Sequence, residues 1–316
     1  MALRIFIDGA EGTTGLEIRE RLANRPEFSL IVLDDAVRRH AGARREALNN
    51  ADIAILCLPD AAALEAVAMI DGTSHTRVID ASSAHRTASG WTYGFPELVG
   101  RDAVAEAARV SNPGCYPTGF LALVAPLVRA GLLPGDWPYS VNAVSGYSGG
   151  GKALIERFDG DPALAFRSYG LGLGHKHLAE MRHHAGLAHD PVFSPAVARA
   201  YRGMIVDVPL NLAALEPRAD TRIEPAAMRD ALRVQYNRSA IVTVADGVPA
   251  ELCLSADSAG SDAMELFVCA DEDGTQVRLL ARLDNLGKGA GGAAVQSLNL
   301  MAGLPEATGL RLPPPA

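Results

Sequence analysis

Ile5-Phe-Ile-Asp-Gly9-Ala-Glu-Gly12-Thr13-Thr14-Gly15 joins a strand pattern to a helix pattern through three glycines. A short apolar run, Leu3 to Ile7, ends in a turn spaced G-x-x-G-x-x-G, and a helix pattern starts at Gly15 and continues to Asn24. Glycine lets a backbone turn tightly and approach a pyrophosphate at a helix N-terminus. Strand, turn and helix in that order point to a dinucleotide held at Gly9, Gly12, Thr13, Thr14 and Gly15. The spacing departs from the commoner G-x-G-x-x-G, and a tight turn without a ligand is the plain alternative.

Outward from the turn, strand and helix patterns alternate. Ser29 to Leu33 reads as a second strand, Ala51 to Leu58 as a third, Ala61 to Ile70 as a helix and Arg77 to Asp80 as a strand. Short loops between alternating elements argue for an α/β, doubly wound parallel sheet of Rossmann type. Asp34 and Asp35 follow the second strand, then Arg38 and Arg39. An acid there suits a free ribose hydroxyl and an arginine suits a 2′-phosphate, so the local sequence leaves NAD and NADP both open.

The pattern changes after Ser111-Asn112-Pro113-Gly114. A helical stretch runs from about Thr118 to Leu132. Strand-like pieces follow at Tyr139 to Val144, Gly203 to Val208, Ala240 to Val244, Glu265 to Ala270 and Gln276 to Leu283. Few helices separate the later ones, which predicts an α+β domain with a mostly antiparallel or mixed sheet. The expected organisation is a dinucleotide-binding domain over 1–113 and an α+β domain over 114–285, to which the resemblance given below adds catalysis and dimerisation. An Ala/Gly-rich helix between 286 and 316 completes the first.

The chain has 316 residues, 48% of them hydrophobic, which is enough to bury a core and excludes disorder. Lys and Arg number 29 against 37 Asp and Glu, a net charge of −8. That balance lacks the basic footprint of a nucleic-acid or anionic-membrane binder. The longest nearly apolar stretch, Gly119 to Val128, is too short to span a bilayer and is interrupted by Pro126. The start shows no tripartite signal, and the four cysteines form no C-x-x-C. Cytoplasm is the expected address, and no metal site is expected.

Asn112-Pro-Gly-Cys115-Tyr-Pro-Thr118 places one thiol just before a helix, where aligned N–H groups lower a thiol pKa and hold an oxyanion. Cys57, Cys253 and Cys269 stand in apolar runs and read as small core residues. Gly174-His175-Lys-His177-Leu-Ala-Glu180 packs two imidazoles and an acid together, and imidazole is the natural base for a thiolate near neutral pH. H-x-H also fits a metal site if His183, His184 or His189 joined it, or a solvated helix start. Gly146-Tyr-Ser-Gly149-Gly150-Gly151-Lys152-Ala153 nearly spells a P-loop, but Ala153 replaces the hydroxyl that holds magnesium.

Taken together, these motifs resemble the shorter type of N-acetyl-gamma-glutamyl-phosphate reductase, a family with a semialdehyde-dehydrogenase-like fold. The resemblance covers most of the chain. Asp80-Ala-Ser-Ser-Ala-His-Arg86, Tyr93-Gly-Phe-Pro-Glu-Leu98, Ser145-Gly-Tyr-Ser-Gly-Gly-Gly-Lys152 and Asp284-Asn-Leu-Gly-Lys-Gly-Ala-Gly-Gly292 join the motifs already quoted. The longer type is similar but usually carries proline where Ala179 stands. The resemblance implies NADPH-dependent reduction of N-acetylglutamyl phosphate to the semialdehyde in arginine biosynthesis, with release of inorganic phosphate.

By that resemblance Cys115 forms a thioester, His177 is the acid and base, and His175 is its partner on the substrate side. Arg86 and Asn112 contact the substrate, Ser145, Gly146, Gly149 and Asn285 line the nicotinamide, and Arg38 or Arg39 reaches the 2′-phosphate. The resemblance also implies a homo-oligomer, dimer or tetramer. An aspartate-semialdehyde dehydrogenase is the nearest rival, and a nucleotide-sensing protein without chemistry is a rival of another class.

Overall fold

The computed structural model describes residues 2–34, 36–215, 223–256, 258 and 260–314. The chain packs as two units. One runs to Pro113 and resumes over Ala290–Leu310, and the other spans Gly114–Gly289 and takes up the chain again from Arg311.

The first unit opens with β1 (Leu3–Asp8), α1 (Thr13–Leu22), β2 (Phe28–Ile31), α2 (Ala41–Asn50), β3 (Ile53–Leu56), α3 (Asp60–Ala68) and β4 (Arg77–Asp80). It continues through β5 (Thr92–Tyr93), α4 (Pro96–Val99), α5 (Arg101–Glu106) and β6 (Arg109–Ser111). All the strands pair in parallel in the order β2-β1-β3-β4-β6-β5. Alternate residues feed two cores. Ile5, Ile7, Ile53, Ile55 and Ile79 meet Ile18 and Leu22 of α1 on one face. Phe6, Ala54, Leu56 and Val78 meet Leu48 of α2 and Ala63 of α3 on the other. Burial on both faces explains why these strands read as unbroken apolar runs. The strand order reverses between β1 and β3, and the crevice beyond the carboxyl ends at such a switch point is where open α/β sheets hold ligands.

The second unit contains α6 (Cys115–Arg129), β7 (Ser140–Gly146), α7 (Gly151–Gly160), β8 (Phe166–Ser168), α8 (Leu178–Ala185), β9 (Val192–Ala198) and β10 (Met204–Asn211). After these come α9 (Leu212–Leu215), α10 (Pro225–Tyr236), β11 (Val242–Val244), β12 (Met264–Ala270) and β13 (Gln276–Leu283). Its sheet of seven strands runs β11-β12-β13-β10-β7-β9-β8. Pairing is antiparallel except between β7 and β9 and between β11 and β12, a mixed sheet as expected. Every residue of α6 from Tyr116 to Leu127 is buried, the mark of a helix enclosed by core on all sides.

The chain then returns to the first unit as α11 (Gly292–Met301), whose Ala294, Val295 and Leu298 join the α1 side of the first sheet. It re-enters at Ala290 rather than 286 and leaves after Leu310. Arg311 pairs with the second unit: its N–H donates to Asp262 Oδ2 at 2.7 Å, and its carbonyl accepts from the Asp262 N–H at 2.8 Å. No helix among the described residues is long and apolar enough to cross a membrane.

Candidate active site

Cys115 opens α6 rather than preceding it, with Gly114 as the N-cap and Pro117 in the first turn, where a missing N–H costs nothing. The Gly114 N–H donates to Glu180 Oε1 at 2.8 Å, so a carboxylate from the first turn of α8 holds the residue before the thiol. Thr118 Oγ1 and its N–H both return to the Gly114 carbonyl at 2.9 Å. Glu180 is 1% exposed, whereas Cys115 is a half-buried thiol in no disulfide.

Both histidines reach this neighbourhood. His177 caps α8, and its N–H donates to His175 Nδ1 at 3.2 Å, which assigns the His175 proton to Nε2. The two rings stand 4.6 Å apart, and the Tyr116 ring lies 6.2 Å from His175 and 5.9 Å from His177. The Tyr169 hydroxyl donates to Tyr116 Oη at 3.4 Å, and Tyr116 donates onward to the Ala196 carbonyl at 3.0 Å. Burial first, then Tyr169 and Cys115, holds the Tyr116 phenol well above its ordinary range. Burial raises Tyr169 as well, so the hydroxyl pair stays protonated. His183 and His184 face each other at 4.8 Å, but among the described residues no three His, Cys, Asp or Glu side chains converge to hold a metal.

Beside Cys115 lies a cavity of about 100 Å³ lined by Tyr116, Ser145, Gly149, Arg167, Tyr169 and neighbours. Ser145 is buried, and its Oγ donates to the Gly146 carbonyl at 3.0 Å. The residues that nearly spell a P-loop instead form a 3-10 turn, Tyr147–Gly150, leading into α7. Asn285 clasps that turn, with Nδ2 donating to Ser148 Oγ at 2.9 Å and Oδ1 accepting the Gly203 N–H at 3.0 Å. Both ends of its amide are therefore engaged within its own unit. Sequence reasoning missed Arg167, Tyr169 and the Tyr116 ring as parts of this region. Tyr116 stood in the cysteine motif, but Arg167 and Tyr169 lie on and just after a strand of three residues without a pattern of its own.

In the first unit the glycine turn stands at the switch point. Gly9 has φ +86°, and a Cβ there would sit 2.3 Å from the Cys57 carbonyl oxygen. A Cβ on Gly15 would meet the Gly9 carbonyl oxygen at 2.4 Å. Gly12 is the N-cap of α1, and Thr13 and Thr14 form its first turn, two residues ahead of the expected start at Gly15. That end carries no capping side chain and no acid, so its N–H groups and positive pole fit a pyrophosphate.

Asp8, at the end of β1, is neutralised by Arg44 of α2 at 2.8 Å. Arg38 lies partly buried in the turn between β2 and α2 with its N–H on the Asp34 carbonyl at 2.9 Å, while Asp35 lies outside the described residues. Burial, then Asp80 and Asp8, pushes the thiol of Cys57, at the edge of the α1-side core, up to about 12, whereas Cys253, expected in the core, is exposed. Arg86 is buried, with Nε donating to the Asn112 carbonyl at 3.0 Å and Nη2 to the Ala81 carbonyl at 3.2 Å. Asn112 Nδ2 donates to the Ala290 carbonyl at 3.1 Å, while its buried Oδ1 has no partner among the described residues.

Comparison with known proteins agrees with this division. The NAD binding domain of semialdehyde dehydrogenases matches residues 36–107, and the semialdehyde dehydrogenase dimerisation domain matches residues 115–285. An N-acetyl-gamma-glutamyl-phosphate reductase of Brucella ovis is 50% identical over 316 residues, covering 96% of this chain and 100% of its own. One of Trichormus variabilis is 46% identical over 323 residues, covering 97% and 99%. Among solved structures, aspartate semialdehyde dehydrogenase II of Vibrio cholerae superposes with a TM-score of 0.67 at 19% identity, over 95% of this chain and 98% of that one. The Francisella tularensis aspartate semialdehyde dehydrogenase gives 0.68 at 12% identity, over 95% and 99%. These two share the fold, whereas the near-full-length likeness to the reductases decides the family. The chain is an oxidoreductase that belongs to the N-acetyl-gamma-glutamyl-phosphate reductase family.

Proposed function

We propose that the chain reduces N-acetylglutamyl 5-phosphate to the 5-semialdehyde with release of inorganic phosphate, as a step of arginine biosynthesis. The observation that carries this reading is Cys115 at the start of α6, with the His175 and His177 rings gathered around the adjacent Tyr116.

The Cys115 thiolate attacks the acyl carbon, and the bond from that carbon to the phosphate oxygen breaks, leaving a thioester and free phosphate. The first turn of α6 turns its dipole toward the oxyanion that forms on the way. The thioester carbon would accept its hydride from NADPH held at the glycine turn of the first unit. His177 then protonates the thiohemiacetal oxygen and takes the proton back as the C–S bond breaks, which frees the aldehyde and restores the thiolate. His175, with its proton on Nε2, faces the substrate as a donor. Gly9, Gly12, Thr13, Thr14 and Gly15 hold the pyrophosphate, and Arg38 reads the 2′-phosphate. The second unit mediates assembly into a homo-oligomer, and a reducing cytosol suits a working thiol.

The test runs the reaction backward, with NADP, inorganic phosphate and N-acetylglutamate semialdehyde, beside aspartate semialdehyde and a Cys115→Ser control. Phosphate-dependent turnover of the acetylated aldehyde, lost in the control, is the expected result. Turnover of aspartate semialdehyde instead keeps the mechanism and overturns the substrate.

A further inference from the structure

Among the residues lining the cavity beside Cys115, Arg167 alone brings a positive charge. It sits in the middle of β8, opposite Val197 of β9 in the antiparallel pair, and Val197 lines the same cavity. Its neighbours Phe166 and Ser168 alternate to the other face and are exposed. The guanidinium carbon lies 4.6 Å from the centroid of the Tyr169 ring, the ring whose hydroxyl meets Tyr116.

The other buried or half-buried arginines near either candidate site are engaged. Arg44 is bound to Asp8, Arg86 to two carbonyls and Arg202 to Asp284. Arg167, among the described residues, has an aromatic face behind it and neither an ion pair nor a hydrogen bond. A guanidinium seated this way keeps its planar fork of N–H donors for a ligand, and that fork matches a carboxylate in two parallel bonds.

We infer that Arg167 binds the carboxylate of the acyl substrate and thereby selects amino-acid-derived aldehydes. The inference rests on the reduction proposed above. That substrate brings two anions to the pocket, its phosphoryl group and its carboxylate. The phosphoryl group departs when the thioester forms, but the carboxylate stays on the bound acyl chain through both half-reactions. A cation in a confined pocket is compensated throughout only by the anion that stays.

The reverse assay separates the two anions, because phosphate and aldehyde are then different substrates with their own KM values. Arg167→Met raises KM for N-acetylglutamate semialdehyde about ten- to a hundredfold, the range for losing a hydrogen-bonded charge partner. KM for phosphate stays within about twofold and kcat within about threefold, as expected when ground state and transition state lose the same contact. A second readout uses 4-acetamidobutanal, the same aldehyde without the carboxylate. Wild-type protein discriminates strongly against it, whereas Arg167→Met treats the two aldehydes nearly alike, a change that a merely structural role would not produce.

Arg167→Lys, which keeps the charge but loses the fork, falls between the two and carries the test if the methionine variant does not fold. An unchanged aldehyde KM, a rise confined to phosphate, or preserved discrimination between the aldehydes overturns the inference. Absence of wild-type turnover of the acetylated aldehyde overturns the parent reading and this one with it.

Discussion

α1 in the first unit and α6 in the second begin alike, each behind a glycine N-cap with no capping side chain and no acid in the first turn. They differ in what surrounds that end. α1 buries one stripe, Gly15, Ile18, Arg21 and Leu22, and lies behind a turn made of bare backbone. α6 is buried on all sides from Tyr116 to Leu127, and its N-cap amide is held by the Glu180 carboxylate. On the proposed function the same electrostatic device serves two ends: a soft cradle for a large anion, and a fixed mount for one reacting atom. Precision at a nucleophile needs a supporting shell, whereas a pyrophosphate needs backbone it can approach closely.

The sharpest way to break this comparison is Cys115→Ser. Turnover falls on the order of 10⁴-fold, the cost of removing a nucleophile, while NADPH affinity measured by fluorescence titration is unchanged. Equal losses in both would mean that the two helix ends do not divide the work. Gly9→Ala attacks the other end: with φ +86° and a Cβ 2.3 Å from the Cys57 carbonyl oxygen, it costs roughly 1–3 kcal/mol of stability and raises KM for NADPH at least about tenfold. A melting curve and a cofactor titration read both. Glu180→Gln keeps an acceptor but removes its charge, so kcat drops roughly tenfold while KM for NADPH holds. An unchanged kcat would reduce Glu180 to a packing residue.

The Cys57 thiol provides the smallest test. Cys57 stays protonated up to about 12, against an ordinary value of 9.0 in the unfolded chain. Between those values the unfolded state releases a proton that the folded state keeps. Stability therefore falls as pH rises through that window, by up to about 1.4 kcal/mol per pH unit from this group. Cys57→Ala removes that share of the slope in denaturant melts between pH 8.5 and pH 10.5.

Much of the first unit was legible because its strands are apolar on both faces and its turn is spelled in glycines. Its α2 was not, since Ala41–Asn50 buries only Ala47 and Leu48 and carries little apolar period. β5 and β6, two and three residues long, have no period at all. In the second unit Cys115 and the histidine pair stood out by residue type, but what supports the thiol comes from elsewhere in the chain. Glu180 lies 66 positions from the amide that it holds, and no local pattern announces such a pairing. Asn285 was legible as a motif residue, yet its two hydrogen bonds to Ser148 and Gly203 depend on tertiary structure.

One consequence concerns the order in which the protein is made. The first unit takes its last helix, α11, from residues 292–301, so the face bearing Ile5, Ile55 and Ile79 waits for Val295 and Leu298. A ribosome that has delivered residue 289 has released every strand of the second sheet, while the first sheet, synthesised earlier, still has one side that α1 covers only in part. The domain that is translated first waits for its last helix until every strand of the second has been made, and a nascent chain stalled before α11 leaves part of that isoleucine-rich face to chaperones and proteases.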